Sequence, residues 1–374
     1  MKVLVVHPHL HFLGGSEVLT KILVYGLEEQ GYDVVVLSKD FREDLFKPTS
    51  KVTLERFRIA SEEDSIKARL NNIIHTLDEV FRRHGELLPF IMIQEPIYAT
   101  LIKAVKPGAK VGMYVHFPKE EELTPENLKR FLNNYRFPNM YDCFYRVADL
   151  HITNSNYTAR ALYKLYGIPS NVVYPAIPKE YYEAGEEVDI KGKEQRIISV
   201  ARFVPQKRLD VLIQWFKDRI KPEVPDASLL IIGIPDPRYR NHYEKLKELA
   251  SGTEGVELID KPMKPAELAK YYQASKVYVH LRIGEHFGMA PVEAMTQATI
   301  PVVPRKTGLA ELIVNGYNGY AYENDGEAIA TLIKLLKMSG DEYLRIARNA
   351  WRTSWHFTPT IFASRVINYL KLLT

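Results

Sequence analysis

Two carboxylates eight positions apart, Glu285 and Glu293, bracket Gly288 in the segment GEHFGMAPVE, residues 284–293. Gly288 permits close backbone approach, and the helix read from there presents unpaired N–H groups that suit a diphosphate. Glu285 falls in the loop before that helix and Glu293 on its second turn. Both can then face the carboxyl ends of the strands, where open α/β sheets bind ligands. An ordinary amphipathic helix with two solvated acids is the plainer alternative. A second segment, SVARFVPQKRLDVLI, sets Arg202 at a strand end and Lys207 near the start of the next helix. Two cations at such a turn can hold a phosphate or diphosphate, as a metal otherwise would. A solvated basic turn is the alternative there. No D-x-D triplet occurs, which weakens the case for a carboxylate-held divalent metal.

Fainter signals lie in the first half. Gly14 and Gly15 open the first helix, with Ser16 as its expected cap, and such a turn brings backbone close to a ligand. His116 follows the strand VGMYV and should emerge at the carboxyl edge of its sheet, where a satisfied structural histidine is the commoner case. His7, His9 and His11 alternate, but Pro8 and the turn to Gly14 leave their directions open, and a metal site is discounted. Asn154 and Ser155 in NSNYTARAL read as turn and cap residues. Phe131, Tyr135, Phe137, Met140, Tyr141, Phe144 and Tyr145 stand among basic residues, a composition that suits either core packing or rest against a bilayer.

These residues need a scaffold, and the chain supplies a regular one. Short β-branched runs alternate with amphipathic stretches from end to end, the pattern of parallel sheets with crossover helices. Strands are expected at 3–6, 33–37, 90–93, 111–115, 150–153 and 171–174, then at 196–201, 228–233, 256–259, 276–281 and 299–304. A charged stretch lacking apolar periodicity separates the two series. The expected organisation is a first Rossmann-like domain over 1–178, a linker over 179–194, a second over 195–357 and a closing helix over 358–374.

With 374 residues, 46% of them apolar and 26% charged, the chain suits two α/β domains and excludes disorder. The net charge of +4 is mild and dispersed, which fits anionic small substrates or a membrane surface and argues against nucleic acid. A lone cysteine, Cys143, excludes an internal disulfide and points to the cytoplasm. No run approaches the roughly 18 apolar residues that span a bilayer, so membrane contact is expected to be peripheral. The first turn, HPHLHFLGGSE, lacks the G-x-G-x-x-G of dehydrogenases, and no P-loop is present.

The segment from Glu285 to Glu293 resembles the E-x7-E motif of the retaining glycosyltransferases of family four. EHFG followed by P-V-E-A-M is most similar to the mannosyltransferases that build lipid-linked oligosaccharides. The resemblance covers nearly the whole chain and implies a GT-B fold, two Rossmann-like doubly wound domains facing each other across a cleft. It implies that Glu285 contacts the donor sugar, Glu293 the nucleotide ribose, and the backbone of Phe287, Gly288, Met289 and Ala290 the sugar and phosphate. Arg202 and Lys207 match the family's R-x4-K phosphate-binding pair, and Gly14 and Gly15 its glycine-rich loop. HFP at 116–118 resembles the segment whose histidine faces the transferred sugar. RKTGLAELI departs from the family's S-G-G-x-x-E-x-I by carrying Lys306, Thr307 and Gly308 in place of the usual small pair. The implied reaction is hexosyl transfer with retention, without metal or cofactor, and the final helix is expected to return to the first domain. GDP-mannose is the first choice of donor and a UDP-hexose the second. The acceptor is a glycan or polyprenyl-linked sugar, reached at the inner face of a membrane through contact with anionic lipid. A sugar-nucleotide epimerase and a non-catalytic sugar-nucleotide-binding protein remain as alternatives.

Overall fold

In the computed structural model, which describes residues 2–12, 14–58, 66–119, 140–185, 190 and 192–374, the β-branched runs form two separate parallel sheets. The chain divides into unit 1, Met1–Ala176 with Pro359–Thr374, and unit 2, Ile177–Thr358.

Unit 1 runs β1 (Lys2–Val6), α1 (Gly15–Glu29), β2 (Asp33–Ser38), β3 (Val52–Arg56), α2 (Ile66–His84), β4 (Leu88–Ile91), α3 (Ile97–Val105), β5 (Gly112–Val115), α4 (Met140–Val147), β6 (Leu150–Thr153), α5 (Asn156–Tyr166) and β7 (Asn171–Val172). Its strand order is β3-β2-β1-β4-β5-β6-β7, so the order reverses between β1 and β4. Val3 pairs with Val34 on one side and Leu88 on the other, and the residues of β1 after Lys2 are fully buried. Burial on both faces is why these strands read as continuous apolar runs rather than alternating ones.

Unit 2 opens with α6 (Lys179–Ala184) and continues through β8 (Glu194–Val200), α7 (Leu209–Trp215), β9 (Ser228–Ile232), α8 (Arg240–Ser251), β10 (Val256–Ile259), α9 (Pro265–Ala274), β11 (Ser275–Val279), α10 (Met289–Thr296), β12 (Ile300–Pro304), β13 (Tyr320–Tyr322), α11 (Asp325–Lys337) and α12 (Gly340–Ser354). The order β10-β9-β8-β11-β12-β13 reverses between β8 and β11. The Lys193 ammonium donates to the carbonyls of Gln273, Ser275 and Gln297 at 2.9, 3.1 and 2.9 Å and reaches Thr299 Oγ1 at 3.1 Å. One cation thus ties down the carboxyl ends of α9 and α10, where the helix dipoles present negative charge. The closing helix α13 (Pro359–Leu370) belongs to unit 1. Its Phe362, Val366, Ile367 and Leu370 enter the core beneath α1. Gly26 allows that approach, because a β-carbon there would stand 2.6 Å from Ala363 Cβ.

Several expectations need correction. The segment 179–194, expected as a linker, begins with helix α6, whose Tyr181 and Tyr182 are buried. Adjacent tyrosines on a helix of less than two turns leave no apolar period to read. Strands β3 and β13 escaped the sequence reading: β3 carries partly exposed and polar positions, and β13 has three residues. Gly14, not Ser16, caps α1, and Ser16 lies in its first turn. Lys207 ends a short 3-10 turn, Pro205–Lys207, and α7 starts two residues later. Of the aromatic segment, Phe131, Tyr135 and Phe137 lie outside the described residues, as do the side chains of Met140 and Tyr141. Tyr145 is buried against Tyr166, ring centroids 5.0 Å apart.

Candidate functional site

In unit 2 the strand order reverses between β8 and β11, and the loops leaving those two strands carry the residues of interest. A crevice at such a reversal is where open parallel sheets bind ligands. From β8 comes the turn with Arg202 and Lys207, and from β11 comes the loop 280–288.

The structure joins Lys207 to Glu285 in a direct ion pair, each side chain 18% exposed. His280 Nε2 lies 3.4 Å from the same carboxylate oxygen and Arg282 Nη1 4.0 Å from it. Burial alone would push the Glu285 carboxyl up. Lys207, His280 and Arg282 outweigh it and hold the group well below the usual carboxylate range. His280 is pushed down, by burial first and by Lys207. Glu285 therefore stands as a fixed anion whose charge is balanced before any ligand arrives.

The backbone around it is equally held. Gly308 N donates to Glu285 O at 2.8 Å, Gly284 N to Lys306 O at 2.8 Å, and Leu309 N to Phe287 O at 3.2 Å. The segment 305–308 thus zips onto the 284–287 loop, with Thr307 Oγ1 donating to Pro304 O at 2.9 Å. Of the residues that depart from the familiar pattern, Lys306 gives its backbone carbonyl to this pairing, and Thr307 braces its own turn through Pro304 O and Ala310 N. Gly288 has φ 89°, a left-handed conformation that favours glycine, and it leads directly into α10. The N–H groups of Met289 and Ala290 belong to the first turn, which has no intrahelical acceptors. Phe287 is buried, its ring centroid 5.7 Å from that of Phe357.

Glu293 occupies the second turn of α10 as expected from its spacing, but its surroundings come from elsewhere. Tyr272 donates to its Oε2 at 3.1 Å, and the Tyr181 hydroxyl also hydrogen-bonds to it. Burial raises its carboxyl to about 7 against the lowering effect of those two hydroxyls. Tyr278, fully buried on β11, has its hydroxyl pushed far up by burial and by the nearness of Glu293 and Glu285.

Arg202 does not join Lys207. Phe203 bridges to Pro235 and is buried, so the alternation of the extended chain turns Arg202 outward. Its guanidinium is 65% exposed, 3.6 Å from Asp236, which it shares with Arg238. The expected convergence of two cations is replaced by two separate ion pairs, of which only Lys207 meets Glu285.

In unit 1, His116 follows β5 with Nε2 3.1 Å from the Met92 carbonyl, while Asn154 Nδ2 donates to the His116 carbonyl at 2.8 Å. Burial lowers its ring to about 4, so it is neutral at physiological pH. A β-carbon at Gly14 would stand 2.5 Å from Glu17 Oε2, so a larger residue there would displace the end of that buried side chain. Gly15 is the first residue of α1. Ser155 caps α5 by accepting from Thr158 N at 3.0 Å, the structural role read from its sequence. Among the described residues no group of three or more His, Cys, Asp or Glu is placed to hold a metal.

Sequence reasoning missed His280, Tyr272 and Tyr181. His280 stands five residues before Glu285 at a strand end, a position that could have flagged it. The two tyrosines arrive from α9 and α6, and nothing local announces them.

Residues 183–353 match the family described as Glycosyl transferases group 1, and residues 13–181 match Glycosyltransferase Family 4. An alpha-1,3/1,6-mannosyltransferase, alg2, of Schizosaccharomyces pombe is 24% identical over 89% of this chain and 73% of its own. A human GDP-Man:Man(3)GlcNAc(2)-PP-Dol alpha-1,2-mannosyltransferase is 24% identical over 83% of this chain and 71% of its own. Among solved structures, sucrose-phosphate synthase from Thermosynechococcus elongatus superposes with a TM-score of 0.77 at 15% identity, covering 100% of this chain and 98% of that one. Anabaena HepE in complex with UDP and glucose gives 0.74 at 16% identity, with both chains fully covered at 100%. At these identities the structures show the fold alone.

Proposed function

The chain belongs to the GT-B glycosyltransferases whose C-terminal halves are of group 1 and N-terminal halves of family 4, and from that premise we propose that it transfers mannose from GDP-mannose to a lipid-linked glycan acceptor with retention of configuration. One observation carries the donor assignment: Glu285, paired to Lys207 beside the N-terminus of α10 and the turn at Gly288, at the strand reversal of unit 2. Glu285 takes hydroxyls of the donor hexose, and the amides of Phe287, Gly288, Met289 and Ala290 take sugar and diphosphate oxygens. Glu293 takes the ribose. Lys207 and the exposed Arg202 neutralise the departing diphosphate, so the step proceeds without a metal or cofactor. The leaving phosphate accepts the acceptor's proton on the face it leaves, and the protein contributes position and charge.

A relative whose name gives a PP-Dol-linked glycan as acceptor supports a polyprenyl-linked acceptor for this chain. Among the described residues no helix is long and apolar enough to cross a bilayer. Contact with anionic lipid belongs to the same reading, motivated by the basic and aromatic composition of residues 129–146.

The test is nucleoside diphosphate release from a panel of GDP-mannose, UDP-glucose and UDP-N-acetylglucosamine, in excess chelator. Turnover of GDP-mannose alone is the expected result. Turnover of a UDP-hexose would replace the donor, and activity abolished by chelator and restored by magnesium would overturn the metal-free step.

A further inference from the structure

Glu293 stands where three elements of unit 2 meet its own helix. Tyr272 of α9 donates to its Oε2 at 3.1 Å, and the Tyr181 hydroxyl of α6 hydrogen-bonds to the same carboxylate. The two rings lie 6.3 Å apart, centroid to centroid, and both are buried. Tyr278 of β11 is near as well, its ring 6.1 Å from that of Tyr272, but its hydroxyl goes to the Val200 carbonyl at 3.4 Å. From β12 and α12, which also pack on α10, no charged group among the described residues acts on the Glu293 carboxyl.

Helix α6 is too short to hold its own shape, so its neighbours must place Tyr181. Gln297, at the end of α10, donates to the Tyr181 carbonyl at 2.7 Å. Gly185, just past α6, approaches α10 so closely that a β-carbon on it would stand 2.4 Å from the Thr296 carbonyl oxygen. Trp351 Nε1 donates to the Gly185 carbonyl at 3.1 Å and fixes the same end.

A buried acid satisfied by hydroxyls is ordinary in a core, and two details separate this one from that case. Both tyrosines are buried, yet Glu293 keeps part of its surface open. Burial and the nearness of Glu293 push both hydroxyls far up, so they keep their protons and act on the carboxylate only as donors. An ionised carboxylate offers about four acceptor sites, of which the tyrosines use two, so its open side is fit to receive a vicinal diol.

We propose that Tyr181 and Tyr272 are positioning residues of the donor site, holding the Glu293 carboxylate oriented to accept from the ribose hydroxyls of a nucleoside diphosphate. The inference rests on the reading of Glu293 as the ribose contact, and it brings into that contact the short helix that opens unit 2.

Calorimetric titration of the full chain with GDP and UDP, each beside its 2′-deoxy analogue, isolates the ribose, because the ratio of the two affinities cancels what base and phosphates contribute. Near pH 8.5 the wild type should favour the ribonucleotide. Y181F and Y272F keep the rings and their packing, and each should cut that preference about tenfold while binding the 2′-deoxy analogue as wild type does. Titrated from about pH 6 to 9, the wild-type preference should rise through about 7. In either variant it should rise at higher pH, since a hydroxyl that lowers the carboxyl is gone. Full preference in both variants, or equal loss of affinity for both analogues, overturns the proposal and leaves the ribose reading standing. A wild type that shows no preference with either base ends the ribose reading and the proposal with it.

Discussion

Replacing Glu293 by Gln should make the protein more stable above neutral pH, at the expense of ribose recognition. Burial lifts this carboxyl from its ordinary 4.5 to about 7, with Tyr272 and Tyr181 opposing the lift. The native state therefore holds the proton more tightly than the unfolded chain. Its contribution to stability is full below about 4.5 and is lost as pH rises through about 7. A displacement from 4.5 to about 7, at 1.36 kcal/mol per pKa unit, corresponds to about 3 kcal/mol against the ionised native protein at alkaline pH. Gln keeps an oxygen for the Tyr272 hydroxyl and carries no charge. Thermal melts near pH 5 and near pH 8.5 should thus show E293Q level with wild type in acid and higher in alkali. For a unit of this size the gain is on the order of 6 to 10 °C. GDP titrations over the same range supply the functional half. If the ribose hydroxyls donate to an ionised Glu293, wild-type affinity rises with pH through about 7 and the E293Q affinity stays flat. A melting difference that does not change with pH would mean that the carboxyl is not held protonated in its enclosure, and the reasoning would fail.

Lys193→Met should lower the stability of unit 2 by about 3 kcal/mol, seen as a lower urea midpoint, because the carbonyls at the ends of α9 and α10 lose their shared cation. Lys207→Ala should reduce kcat for GDP release about thirty-fold to a thousand-fold. The smaller loss is expected of Arg202→Ala, whose guanidinium is 65% exposed; wild-type rates in both variants would refute the phosphate assignment. In flotation with anionic vesicles at low salt the protein should rise with lipid, and its retention in the soluble fraction would remove the membrane contact.

How far these residues were legible depends on how local their causes are. The two parallel sheets were readable because strands buried on both faces, such as β1, carry unbroken apolar runs. Edge strand β3 and the three-residue β13 lack that signature and were not seen. Spacing alone placed Glu285 before a helix and Glu293 on it, because loop, glycine and helix turn are properties of one segment. What sets their protonation was not legible. Lys207 and His280 come to Glu285 from a neighbouring strand loop and its own strand end, and Tyr181 comes from a helix in a segment read as linker. Arg202 was misplaced for a related reason: whether the chain stays extended to Phe203 depends on its bridge to Pro235, which only the folded sheet supplies.

The most direct test of transfer is the product itself. Incubating the protein with GDP-mannose and a polyprenyl-diphosphate-linked oligomannoside, then reading the new anomeric signals by NMR, should show one added α-mannosyl residue for each GDP released. A β-linked product, or GDP formed with no glycoside, would contradict retaining mannosyl transfer.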